Sequence, residues 1–421
     1  MRKSAPLFFT MKHTTLLFFS LLFINSLLFS QQKTKSSTVW QAMLKRADGK
    51  TINFNFEEKK VNNKPFIVIL NAAERLKVEN IDWKNDSVFI KMPVFESSFS
   101  AKISGNNWNG LWTRGSASKD FTMPFEAKKS SVRYELTNGV AKHNISGRWA
   151  VKLSSDTGKA ATSIGEFVQR GNIVSGTFLT PTGDYRYLQG VVTGNQLLLS
   201  GFDGGHAVLF EATVGNDGMM KGGNFYSGPK YSEQWSAVKN AKATVKINES
   251  AMYVRPGEQR LNFRFPDLDS NLVSIGDDRF KNKVVVIQLM GSWCPNCMDE
   301  TSFLSGFYAK NKKRGVEMVA LAYEYSTDFN RSKNSLLKFK KRFNVEYPVL
   351  ITGVTVSDSM RTEKTLPQVT RIKVFPSSII LDRKGNIHKL DNGFVGPATG
   401  SHYEEYKREF YKMIDELLYE K

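Results

Sequence analysis

Cysteine is almost absent from this chain: two among 421 residues, Cys294 and Cys297, with only Pro295 and Asn296 between them. A structural disulfide framework spreads its cysteines to close long loops, so this pair excludes one. A closed zinc site needs about four ligands. The five histidines (His13, His143, His206, His388 and His402) are scattered, and none joins the cysteines in sequence, so no metal site is expected. Runs of like charge are missing too. The formal charge is +19, yet no five basic residues stand together. A surplus of this kind attracts acidic surfaces weakly. Dispersed as it is, it reads as a solvated face, and nucleic acid is not an expected partner. No Gly-x-Gly-x-x-Gly motif follows a strand, so neither a flavin nor a nicotinamide cofactor is expected. What remains is an ordinary globular balance, 41% hydrophobic and 24% charged. At ~100–200 residues per domain, that length holds two or three domains.

The N-terminus has the pattern of an export signal. Met11-Lys12-His13 precedes an apolar run from Leu16 to Phe29, and small Ser30 follows. A membrane-spanning helix needs ~20 apolar residues, more than this run supplies. Residues 1–30 are therefore expected to be a signal peptide cleaved near Ser30, a retained anchor being the other reading. The expected location is the periplasm or the outside of the cell. Loss of Arg2, Lys3 and Lys12, with no acid in that stretch, leaves the mature chain at +16. In an oxidising envelope, idle cysteines become oxidised. A lone Cys-x-x-Cys there points to redox machinery.

Residues 33–245 read as all-β. Segments such as Thr51–Phe56, Phe66–Leu70, Ser87–Lys91 and Gln196–Ser200 carry the alternation or short apolar runs of strands. Turn signals recur at Asp48-Gly49, Asn138-Gly139, Gly183-Asp184, Gly204-Gly205 and Asp217-Gly218. Regular short strands predict an antiparallel barrel or sandwich, and the stretch from Gly147 to Trp235 predicts a lipocalin-like meander. The tryptophans there (Trp83, Trp108, Trp112, Trp149 and Trp235) read as core, or else as a ligand-binding or docking face. Asp184-Tyr185-Arg186-Tyr187 and Phe202-Asp203-Gly204-Gly205-His206 are candidate surface motifs that turn chemistry explains.

Residues 246–257 read as a linker, and 258–421 as α/β. The segments 283–290, 316–322 and 377–382 are near-continuous apolar strands, as buried parallel strands are. Helices are predicted at about 295–313, 330–343 and 402–418. The cysteines stand where the first strand gives way to the first helix. There the unpaired N–H groups and the helix dipole favour a thiolate on Cys294, the attacking species in disulfide exchange. Cys297 lies one turn on, placed to resolve a mixed disulfide. Pro295 suits the first helical position, which needs no donor.

Trp293-Cys-Pro-Asn-Cys297, Glu300 three residues later, and Phe375-Pro376 before an apolar strand together resemble the thioredoxin superfamily. The likeness is greatest to its TlpA/ResA-like thiol–disulfide oxidoreductases. The resemblance implies a thioredoxin-like fold for 258–421, with Cys294 and Cys297 as its redox-active disulfide. It implies a cis bond before Pro376, and substrate contacts from Trp293, Pro295, Phe375 and Pro376. It implies that Glu300 tunes the thiols. It further implies envelope protein thiols and disulfides as clients, mostly reduced, and a membrane electron donor. On the residues alone, Pro376 reads equally as a strand-starting proline, and Glu300 as an exposed carboxylate favoured by the helix dipole. One departure stands out: thioredoxin carries a buried Asp six residues before its first cysteine, and here that position is Gln288. Two other functions compete. A peroxiredoxin-like thiol peroxidase would set Pro and Thr at positions occupied by Ile287 and Gly291. A binding or scaffold protein would work through the β-region, with the redox domain as an accessory.

Overall fold

The computed structural model describes residues 37–117, 119–154, 160–245 and 252–420. The expected signal peptide, and 246–251 of the expected linker, lie outside them. Residues 37–421 form one compact unit.

The β-region contains two sheets of nine strands each. The first is a meander from Thr38–Lys45 to Phe121–Lys129, and these two strands pair antiparallel with each other. Its edges are Glu74–Val78 and Ile81–Lys84, consecutive in sequence, so the sheet curls around its core but keeps a seam. The interior is aromatic, with Trp40, Phe54, Phe56, Phe99, Trp108, Trp112 and Phe125 all buried.

The second sheet closes. Gly147–Ser154 pairs antiparallel with Ala160–Arg170 on one side and with Tyr231–Lys239 on the other. Ala160–Arg170 in turn pairs with Ile173–Thr180. The remaining strands follow as hairpins, giving a closed up-and-down ring of eight strands, with the two-residue Gly183–Asp184 pairing only with Ile173–Thr180; closure removes a template for aggregation. Phe210 fills its centre, stacked between Phe178 at 4.2 Å and Phe225 at 4.5 Å, with Trp235 and Trp149 in the same core. The expected meander barrel is therefore present, beside a second curled sheet. Four of the five tryptophans are buried core residues and Trp83 packs on the core partly buried, so they do not form an exposed docking face. The two β-units join where Phe202 of the barrel stacks on Phe54 of the first sheet at 4.3 Å.

The C-terminal sheet has five strands in the order Val349–Ile351, Val316–Ala322, Val284–Met290, Ser377–Leu381, Ile387–Asn392. The first three are parallel and the last two antiparallel. Alternate residues of Val284–Met290 enter different cores. Val284, Val286 and Met290 meet the helices α1 (Pro295–Asn311), α2 (Phe329–Phe343) and α4 (Ser401–Tyr419). Val285, Ile287 and Leu289 meet the opposite layer, with Met252, Leu261, Leu366 and Val369. Burial on both faces is why this strand reads as one apolar run. A short helix α3 (Arg361–Thr365) lies in the connection to Ser377–Leu381. Residues 252–257, read as linker, lie against this domain: Val254 bridges Val369, and Met252 N–H donates to Asn392 at 2.7 Å.

Phe210→Ala should cost about 3–5 kcal/mol, as expected for a large buried aromatic. Urea unfolding of the full chain measures it. A loss below ~1 kcal/mol would mean that the barrel centre is not close-packed.

Candidate active site

The strand Val284–Met290 ends at the loop Gly291-Ser292-Trp293, and α1 begins at Pro295 with Cys294 as its N-cap. A strand-to-helix turn of this kind points the first thiol along the helix axis, where N–H groups have no partner within the helix. The Cys294 Sγ takes one of them: it accepts from Cys297 N–H at 3.2 Å. On its other side the thiol donates to the Phe375 carbonyl at 3.5 Å. The Phe375–Pro376 peptide bond is cis. The loop is fixed by two further contacts. The Trp293 indole N–H donates to the Tyr323 carbonyl at 2.8 Å, and its ring stacks on Tyr325 at 5.3 Å. Trp293 also meets Phe375 edge-on. All of Cys294, Cys297, Trp293, Pro295, Phe375 and Pro376 thus converge on one place.

Glu300 is at that place too, but it is not the exposed helix carboxylate that the residues alone allowed. It is 1% exposed. Gln288 Nε2 donates to it at 2.7 Å and Ser378 Oγ at 2.9 Å. Gln288 shares its strand parity with Val286 and Met290, so it is the polar break in the face that α1 covers. Tyr347 and Thr301 complete its hydrogen bonds. Burial pushes the Glu300 carboxyl up to about 7, against the pull of its two donors. Burial, with the neighbouring Cys294 next, pushes the Cys297 thiol well above its usual value, and the Glu300 charge adds to this. A buried acid raised towards neutrality, whose charge reaches the Cys297 thiol, can hold or take a proton within the working pH range.

Three groups lie by the site that the sequence reading did not place there. Glu324 is buried beneath the cysteine loop, where it accepts from Ser292 N–H at 2.7 Å and Ser292 Oγ at 2.6 Å. Burial raises its carboxyl to about 7. The other two come from the barrel. Arg186 donates to both carboxylate oxygens of Asp299 at 2.8 Å and to Glu74 at 2.7 Å. Asp184 accepts from Gly396 N–H at 2.7 Å. With its amide turned to match its neighbours, Asn296 pairs with the Asp184 backbone, accepting at 2.8 Å and donating at 3.0 Å. The Asp184–Tyr187 and Phe202–His206 segments are therefore not surface motifs: they line a cavity that also touches Pro295. Their only sequence signal was a run of charged and aromatic residues inside a turn.

The fold and its paired thiols define the C-terminal region as a thioredoxin-like redox domain. Residues 255–406 match the Redoxin family. The chain is similar to the thiol-disulfide oxidoreductase ResA of Bacillus thuringiensis subsp. konkukian, 27% identical over 150 residues, 36% of this chain and 75% of that protein. It is also similar to ResA of Halalkalibacterium halodurans, 26% identical over 161 residues, 38% of this chain and 77% of that one. Among solved structures it resembles a thiol:disulfide interchange protein of the thioredoxin family from Chlorobium tepidum (19% identity, TM-score 0.29, covering 39% of this chain and 97% of that one). Another is a DsbF homologue from Corynebacterium diphtheriae (20% identity, TM-score 0.30, covering 40% and 97%). The C-terminal domain is thus ResA-like, and the two β-units precede it.

Glu300, Glu324 and Asp184 are all raised to about 7, burial being the largest cause in each. The fold therefore keeps protons on these groups at pH values where the unfolded chain has lost them. Stability should be greatest below about pH 4 on their account and should fall until about pH 7, by up to ~4 kcal/mol per group. Urea midpoints across pH 4–8 should show this fall in the wild type. Glu324→Gln should lessen the fall by about a third, and an unchanged slope in that variant would exclude Glu324 as a contributor.

Proposed function

We propose that the protein is an exported reductase of protein disulfides in the cell envelope, working by dithiol–disulfide exchange through Cys294 and Cys297. The observation that carries this reading is the Cys294 thiol, held between the Cys297 N–H and the Phe375 carbonyl beside cis-Pro376, with the buried Glu300 acting on Cys297. The apolar N-terminal segment ending near Ser30 supports export.

The Cys294 thiolate attacks one sulfur of the client disulfide. A bond forms between Cys294 and that sulfur, and the client's other sulfur leaves as a thiolate. Cys297 then attacks Cys294, which frees the second client thiolate and leaves the Cys294–Cys297 disulfide. Two electrons pass to the client. The helix N-terminus stabilises the attacking thiolate. Cys297 begins protonated, since its environment raises its pKa, and Glu300 takes its proton as it attacks. Gln288 orients Glu300 and cannot itself accept a proton. Trp293 and Phe375 flank the incoming chain, and the Phe375 backbone pairs with it. A membrane-embedded donor returns the electrons. Acidic client surfaces or anionic lipid would be attracted by the basic charge.

Cys297→Ser should trap clients as mixed disulfides on Cys294, visible on non-reducing gels. If Cys294→Ser traps them equally well, the roles are reversed. The Cys294–Cys297 potential should lie near or below about −250 mV, and a value between about −120 and −180 mV would make the protein an oxidant or isomerase instead. Glu300→Gln should slow turnover at pH 7 by ~100-fold, in the usual range for loss of a proton-transfer group, and should shift the pH–rate profile. Turnover within twofold of wild type would remove Glu300 from the reaction.

A further inference from the structure

Disulfide exchange needs the partner's sulfur in line with Cys294 and within about 3.5 Å. Cys294 is only 3% exposed. The β-units reach the elements around it from two sides.

On one side lies the barrel segment 182–187. Its Asp184 backbone occupies the Asn296 amide, and its Asp184 carboxylate takes the Gly396 N–H. Two glycines mark how close the approach is. A Cβ on Gly183 would lie 2.0 Å from the Asn296 amide, and one on Gly396 would lie 2.9 Å from the Asp184 carboxylate. On the other side lies the bend 93–97 of the first sheet. Val94 and Phe95 belong to the same buried cluster as Met290, Cys294, Cys297 and Met298. Glu96 accepts from Arg331 at 2.6 Å and from Ser335 at 2.9 Å, both on α2. Nearby, Arg114 reaches the Tyr325 hydroxyl at 3.4 Å, beside Trp293.

Arg186 ties these parts together. It comes from the barrel, chelates Asp299 on α1 and pairs with Glu74 of the first sheet, so one guanidinium joins all three units. Its third nitrogen, Nη1, has no hydrogen bond. That side chain lines a cavity of about 200 Å³ with Tyr185, Phe202, Phe225, His206 and Pro295. The volume is smaller than the ~300–1,000 Å³ of ordinary ligand pockets. This cavity, which touches the cysteine loop at Pro295, has room for a small molecule and none for a protein surface.

We infer that the β-units form a size filter over Cys294 and that Arg186 is its specificity-determining residue. The filter admits disulfides on small or slender molecules and turns away those set in a broad folded surface. This rests on the exchange reaction proposed above and adds to it a limit on the substrate. Arg186 touches neither thiol, so its role is to hold the cover shut.

The test uses the full chain, two disulfides and two alkylating agents. The disulfides are the small aromatic dithiobis(nitrobenzoate) and folded insulin. The agents are iodoacetamide and a maleimide carrying a polyethylene glycol chain, applied to the reduced protein. Wild type should react with each small probe far faster than with its bulky counterpart, after correction for the probes' reactivity with a free thiol. Arg186→Met should raise the rates with insulin and with the bulky maleimide by about tenfold or more, the scale expected when a buried charged contact holding a local closure is lost. The readout is the ratio of bulky-probe to small-probe rates, which should rise by about tenfold whatever change in thiol reactivity is common to both. If Arg186→Met does not fold, Asp299→Asn carries the same comparison, because it weakens the same contact while Arg186 keeps Glu74. Corrected wild-type rates that do not depend on probe size would overturn the filter, as would variants whose rates shift equally for small and bulky probes. If no form of the protein reduces either disulfide, the exchange reading fails, and the alkylation rates still decide whether the cover exists.

Discussion

The grip on the first turn of α1 is the constraint on which the redox centre depends. One turn further on, Gln288 and Ser378 hold the helix from beneath by fixing Glu300. It is held from the side by the barrel, through Asn296 and Asp299. In front, the Phe375 carbonyl meets the Cys294 thiol. A helix is stiff, so fixing its first turn fixes the direction of its unpaired N–H groups, and these set the electrostatics of the nucleophile. Rigid elements place such a site more accurately than loops do. The Gly291–Trp293 loop is not left free either, since Glu324 and the Tyr323 carbonyl hold its polar groups.

The same grip costs stability. Isolated buried carboxylates are expensive in the ionised form, and a fold tolerates them only with partners or as acids. Both solutions occur here within one interface. Asp299 is met by Arg186 with two parallel hydrogen bonds, the geometry in which an arginine–carboxylate pair is strongest. Glu300, Glu324 and Asp184 instead have their carboxyls pushed up towards neutrality. The interface therefore combines a permanent charge pair with groups whose charge depends on pH.

The α/β half was legible because its strands are covered on both faces and its first helix is announced by Cys294-Pro295. The β-region was legible as a class, since turn dipeptides and alternating residues are local signals. Its division into a curled sheet and a closed barrel was not. That division is made by the pairing of Thr38–Lys45 with Phe121–Lys129 and of Gly147–Ser154 with Tyr231–Lys239, contacts between strands far apart in the chain. Glu300 could be found by position but not by environment, because its burial depends on which face of the sheet Gln288 occupies. The cover was out of reach for the same reason. Arg186 and Asp299 lie 113 residues apart, and each looks like an ordinary surface charge until the barrel and the redox domain meet.

The barrel's closure gives the polypeptide an order of events. Its last strand ends at Lys239, so every residue of both β-units precedes the first cysteine. Synthesis runs from the N-terminus, and domains complete themselves in that direction. By the time Cys294 and Cys297 emerge, the platform that will enclose them has all of its strands and can already stand closed. The two thiols thus follow the β-units and precede Phe375 and Pro376, which complete their surroundings. A nascent chain carrying a reactive pair gains from this arrangement, because the interval in which a bare pair could couple to a stranger is only as long as the redox domain takes to dock.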